Sequence, residues 1–193
     1  MVMKTSIALS LILLLGLCLP TALAQRAEVV YDESPLDYPW SGYVGSSNGI
    51  SLHIDQFNER GPEHGEISAK IDYDRSKEDE AGLYIESTGD SRRGPGIGES
   101  LSWAKKLVFY AKGEHGGEVV RFGYGFPASE YMGSSDSTQD SQLKTLNDSW
   151  SPIEFNLTGK DLSHINGLFS FYVSRIDNPR GCTFYIDNIT YVG

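Results

Sequence analysis

Leu107-Val-Phe-Tyr-Ala-Lys-Gly-Glu-His-Gly-Gly-Glu-Val-Val-Arg-Phe122 decides the fold class. Leu107, Phe109 and Ala111 alternate with Val108, Tyr110 and Lys112, and the same alternation returns at Val120, Phe122 and Tyr124. A period of two is that of a strand with one buried face. The glycine-rich interval from Lys112 to Gly117 predicts a hairpin connection, because glycine accepts the positive φ angles such turns need. Working outward, Ile67, Ala69, Ile71 and Tyr73 alternate in the same way, as do Ile153 and Phe155. Phe169 to Val173 is almost wholly apolar or aromatic, which predicts a strand covered on both faces. No amphipathic helix emerges, and Lys160 to Ile165 offers one short turn at most. Short strands with glycine-rich turns predict an all-β chain, a sandwich or barrel in one domain.

The last strand carries a change of phase. Cys182, Phe184 and Ile186 share one parity, while Ile189 and Tyr191 take the other. One extra residue at Asp187-Asn188 repairs the register, which predicts a β-bulge there. The bulge re-aims the Asp187 carboxylate, and an acid in an apolar strand calls for a partner, of which a cation is one kind. Two segments depart from a simple meander: Tyr38 to Gly49, with Trp40 and Tyr43 among glycines and serines, and the polar Phe126 to Ser149 connection.

Composition limits the function classes. With 39% hydrophobic residues, the chain has enough apolar material for a core and is not a disordered one. A net charge of -10 argues against nucleic acid as a partner. Lys4, the apolar run from Ile7 to Leu19 and the small residues Ala22 and Ala24 read as a secretory signal peptide over residues 1–24, with export of residues 25–193 as the domain. Pro20 breaks the run before it reaches the length of a membrane span. Loss of Lys4 brings the net charge of the exported chain to -11, and Cys182 is then its one cysteine, which excludes an internal disulfide. No phosphate-binding loop, dinucleotide fingerprint or HExxH is present, so no motif of these kinds supports an enzyme.

Three stretches together resemble secreted jelly-roll domains with a galactose-binding-like fold, many of which are non-catalytic carbohydrate-binding modules. Leu107 to Phe122 is similar to their "LxFWAKGExGGExVxF" hairpin, with Tyr110 in place of the commoner tryptophan. Asp177-Asn-Pro-Arg-Gly-Cys-Thr-Phe-Tyr-Ile-Asp-Asn-Ile189 is similar to their closing strand, and Trp150 with Ile153 to Ser163 to the stretch between. Tyr38-Pro-Trp-Ser-Gly-Tyr-Val-Gly45 resembles their entry segment, although Ser46 stands where an acid is usual. The resemblance implies a two-sheet antiparallel β-sandwich, glycan binding on a sheet face or loop edge, and a structural calcium beside the first and last strands. For that calcium it points to Asp187 with Asp32 or Glu33, completed by backbone around His64.

Sugar rings present apolar C–H faces, so their sites offer aromatic platforms flanked by hydrogen-bonding groups. Parity assigns Phe109, Phe122, Phe155, Phe169 and Phe184 to the core. That leaves Trp40, Tyr43, Tyr84, Tyr124 and Tyr131 as candidate ligand-facing rings, and Arg121 and Arg175 as candidate hydrogen-bond donors. Tyr84 points outward if Leu83 and Ile85 point inward. The leading expectation is a secreted, non-catalytic carbohydrate-binding module with a structural calcium. The alternatives are an adhesive surface domain contacting proteins and a glycan-cleaving jelly-roll enzyme.

Overall fold

The structure is a computed structural model. It describes residues 25–31, 40–43, 48–55, 68–87, 98–125, 136 and 138–193, with backbone alone at 40–43 and 52–55. Eleven strands make up these residues: β1 (Ala27–Tyr31), β2 (Trp40–Tyr43), β3 (Ile50–Asp55), β4 (Ser68–Tyr73), β5 (Glu80–Glu86), β6 (Lys106–Gly113), β7 (Val119–Tyr124), β8 (Asp140–Thr145), β9 (Ser151–Asn156), β10 (Gly167–Ser174) and β11 (Cys182–Val192). They form two antiparallel sheets. The first runs β3-β4-β11-β6-β9 with β1 also on β11, and the second runs β2-β5-β10-β7-β8. The expected all-β sandwich is what the chain adopts.

β11 is the spine of the first sheet. Its first half pairs with β4 and its second with β1, while β6 lies along its other side. Ladder pairing shifts between Asp187 and Thr190, and Asn188 takes a φ of 52°. This is the bulge that the phase change predicts, and it returns Ile189 and Tyr191 to the core beside Phe184 and Ile186. At the far end of β11 the Gly193 amide donates to the Arg26 carbonyl at 2.9 Å, and the Arg26 guanidinium lies 4.3 Å from the Trp103 ring centre.

Between the sheets the five expected phenylalanines are buried, with Phe109 4.9 Å from both Phe122 and Phe169 in tilted and edge-on contacts. Tilted and edge-on packing suits the ring quadrupoles, and each buried ring stabilises the fold by about 2 kcal/mol through area removed from water.

Three expectations need correcting. The Phe126–Ser149 connection contains β8, whose alternating half-buried and exposed residues suit a sheet edge although its composition is polar. β10 is not covered on both faces: Phe169, Phe171 and Val173 enter the core, while Ser170 and Tyr172 stand half-exposed on the other side. Lys160 to Ile165 makes bends and an isolated bridge from Ile165 to Glu99, with no helical turn.

Candidate functional site

The second sheet has an outer face whose composition follows from strand parity. On β7 the core takes Val120, Phe122 and Tyr124, leaving Arg121 and Gly123 outside. On β5 Ala81, Leu83 and Ile85 face inward, leaving Gly82 and Tyr84 outside. Cross-strand register then orders these outer residues into rows. One row is Gly82, Tyr172, Arg121 and Leu143. The next is Ser41, Tyr84, Ser170, Gly123 and Ser141. A row bearing a ring, a guanidinium and an exposed leucine thus borders a row of mostly small residues.

Backbone proximity fixes the two glycines. A Cβ on Gly82 would lie 2.2 Å from the Phe171 carbonyl oxygen, and one on Gly123 would lie 2.8 Å from that of Asp140. Neither position has room for a side chain, so the face stays low around Tyr172 and Ser170. Burial, and then a hydrogen bond from its hydroxyl to Glu80, raise the Tyr172 pKa well above that of an ordinary tyrosine; the Arg121 charge acts the other way. The ring is held from one end, with Arg121 beside it on the next strand.

The expected site residues divide. Arg121 is exposed on this face. Arg175 is exposed too, but its Nη1 lies 2.9 Å from Asp79 Oδ1, so it is committed to an ion pair. Tyr84 has the outer parity that alternation gives, yet it is 2% exposed and offers no free ring; parity sets the face of a side chain and not what lies over it. Tyr124 is a correction: it continues the inward parity of β7 and packs edge-on against Phe155 at 5.6 Å. Trp40 and Tyr43 belong to β2, which pairs with β5, and their side chains lie outside the described residues. Tyr131, Asp32, Glu33 and His64 lie outside them as well. Asp187 is fully buried in β11, its Oδ1 accepting the Asn188 amide at 2.8 Å.

Tyr172, Glu80 and Leu143 belong to the site without being expected from the sequence. Tyr172 sits in an apolar run, Glu80 closes the acidic stretch Glu78-Asp79-Glu80, and Leu143 lies in a polar segment. The one signal for them is the polar Ser170 between Phe169 and Phe171, which marks the outer parity of β10.

A concavity of about 650 Å³ opens at one end of the sandwich, away from this face, lined among others by His115, Glu118, Asn178, Arg180 and Cys182. Glu118 Oε1 accepts the His115 amide at 2.9 Å, and Asn178 brackets Val119 by donating to its carbonyl at 2.7 Å and accepting from its amide at 3.0 Å. Burial, then the nearby Glu118 and Asp72 charges, push the Cys182 thiol up to about 12. A thiol in that state is protonated at neutral pH and is no nucleophile. Among the described residues, no three His, Cys, Asp or Glu side chains converge to hold a metal.

No protein-family model matches the chain, and no curated protein sequence matches it. Solved structures do. A family 11 carbohydrate-binding module from Clostridium thermocellum, in complex with a β-1,3-1,4-mixed-linked tetrasaccharide, matches with a TM-score of 0.60 at 17% identity, covering 86% of this chain and 95% of that one. A family 30 carbohydrate-binding module matches with a TM-score of 0.58 at 14% identity, covering 86% and 98%. A family 29 module complexed with cellulohexaose matches with a TM-score of 0.52 at 12% identity, covering 87% and 91%. The chain therefore shares the β-sandwich fold of these carbohydrate-binding modules.

Proposed function

We propose that the chain is a secreted, non-catalytic carbohydrate-binding module whose ligand lies on the outer face of the second sheet. The observation that carries this reading is the cross-strand pair Tyr172–Arg121, standing beside a low row of serine and glycine on a rigid sheet. A half-exposed ring supplies a surface for sugar C–H groups, and a guanidinium and serine hydroxyls supply the directional bonds. Leu143, 48% exposed beside Arg121, extends the apolar part of the row. The fold shared with carbohydrate-binding modules supports the same reading.

The test is a glycan panel on the purified domain beginning at Gln25, with Tyr172→Ala alongside. Losing a central stacking ring costs about 2 kcal/mol of binding, close to thirtyfold in Kd. Thermal stability is expected to change little, since the Tyr172 ring lies outside the core. Binding that survives intact in Tyr172→Ala would move the site elsewhere.

A structural calcium belongs to the same proposal. Asp187 fits one as a wholly buried hard-oxygen donor, with Asp32, Glu33 and the His64 region as its proposed partners. An ion bound to the native state raises its stability by mass action. Strong chelation is therefore expected to lower the Tm of the native chain and to leave that of Asp187→Ala unmoved; an unchanged native melting curve would remove the metal from the proposal.

A further inference from the structure

Two arginines stand on the strands of the second sheet or just beyond them, and they differ in one respect. Arg175 has the Asp79 carboxylate at 2.9 Å. Arg121 is exposed and has no ion-pair partner among the described residues. In a chain with 26 acidic and 16 basic residues, a cation on a sheet face has acids to choose from. Three acids on or beside the strands of this sheet are engaged with other groups: Glu80 accepts a hydrogen bond from the Tyr172 hydroxyl, Asp140 lies 3.7 Å from Lys160, and Asp79 holds Arg175. Among the described residues the guanidinium is thus left without an ion pair, in a row whose other members are neutral.

The geometry points to a hexuronate-bearing polysaccharide as the ligand class of this face, its carboxylate received by Arg121. This inference rests on the carbohydrate-binding reading above and narrows it. A guanidinium presents five donors in a flat fork and no acceptor. A neutral hydroxyl takes one such bond, whereas a carboxylate takes two in parallel and both are charge-assisted. The uronate ring beside that carboxylate then has Tyr172 on one neighbouring strand and Leu143 on the other for its C–H faces. On the next row the half-exposed Ser170 and the exposed Ser141 offer hydroxyls to the sugar. Glu80 sits on the opposite side of this row, beyond Gly82 along β5, so it does not lie between the small-residue row and Arg121. The net negative charge of the chain repels a polyanion at long range, but salt screens that field beyond roughly 10 Å, so the contact pair decides.

The experiment compares charged and uncharged forms of one backbone. Polygalacturonate, alginate and glucuronoxylan are titrated against the purified domain, each beside its methyl-esterified or carboxyl-reduced form, with mixed-linkage β-glucan as a neutral control. At least one acidic polysaccharide is expected to bind about tenfold or more tightly than its uncharged form. Arg121→Ala is expected to erase that difference, and Arg121→Lys, which keeps the charge without the fork, to restore part of it. The Tm of both variants should match the parent, because Arg121 is exposed. Equal binding of acidic and uncharged forms, or binding of β-glucan alone, overturns the inference and leaves the carbohydrate-binding reading standing. Absence of binding to every polysaccharide overturns both.

Discussion

Asn188 shows how a single backbone angle governs the closing strand. Its φ of 52° lies in the left-handed region, where a Cβ crowds the following carbonyl and only glycine and, at lower cost, asparagine settle readily. Asn188→Gly is expected to change unfolding free energy by a few tenths of a kcal/mol, and Asn188→Val to lower it by about 1–2 kcal/mol in a denaturant titration. Equal stability of the two variants would mean that the bulge does not depend on this angle. The bulge is legible in the amino-acid order because the apolar series must keep one face: Ile186 and Ile189 can both be buried only if a residue is added between them. Tyr84 and Tyr124 are less legible for different reasons. Tyr84 follows the parity rule but is buried all the same, and Tyr124 obeys a parity that the loop following it obscures.

Strand by strand, legibility tracks burial asymmetry. β6 and β7 alternate cleanly because one face of each packs on the other sheet, so the sequence records their period. β8 sits at an edge and packs little, so nothing constrains its residues to alternate strongly, and it reads as a polar loop. β10 misleads in the opposite direction. It is flanked by β5 and β7 and its outward residue Tyr172 is aromatic, so apolar composition hides an exposed face that belongs to the candidate site. The pairing of β5 with β10 supplies the prediction at this scale. Gly82 lies so close to Phe171 that any Cβ requires the two strands to separate. Gly82→Ala is expected to destabilise the domain by roughly 3 kcal/mol, the range of overpacked interiors, and to weaken glycan binding by displacing the neighbouring Tyr172. An alanine variant with the parent Tm would show that β5 shifts freely along its partner.

At the scale of the whole molecule, the sandwich confines several groups in their neutral form. Burial raises the pKa of Tyr191, holds Tyr124 at about 12, with the Asp140 charge adding to the effect, and holds Cys182 at about 12. A folded-state pKa above the unfolded one means that the native state keeps its proton more tightly. The associated stability is complete below the unfolded value, near 9 for the thiol and 10 for the phenols, and is lost as pH rises through the folded value. The Tm is therefore expected to fall steeply between about pH 9 and 12, and Tyr124→Phe to lessen the fall while leaving neutral-pH stability equal or higher. The Tyr124 hydroxyl has no hydrogen-bond partner among the described residues, so little is lost with it. A flat melting temperature across that window would contradict the burial of these groups. The two-sheet architecture is readable from period and turns, whereas the pairing order, with β11 in the centre of one sheet and β10 in the centre of the other, depends on contacts between distant segments. The contact between Arg26 and Gly193 bears on how the chain could be rewired. Because those two residues are hydrogen-bonded neighbours, a domain produced as residues 26–193 can be closed into a covalent ring by a short linker, and the ring can be reopened beside Ile176, which is 89% exposed in the turn after β10. Such a circular permutant would keep every ladder of both sheets while moving its new ends to the tip of that turn, since the spatial order of strands does not depend on where the polypeptide is cut.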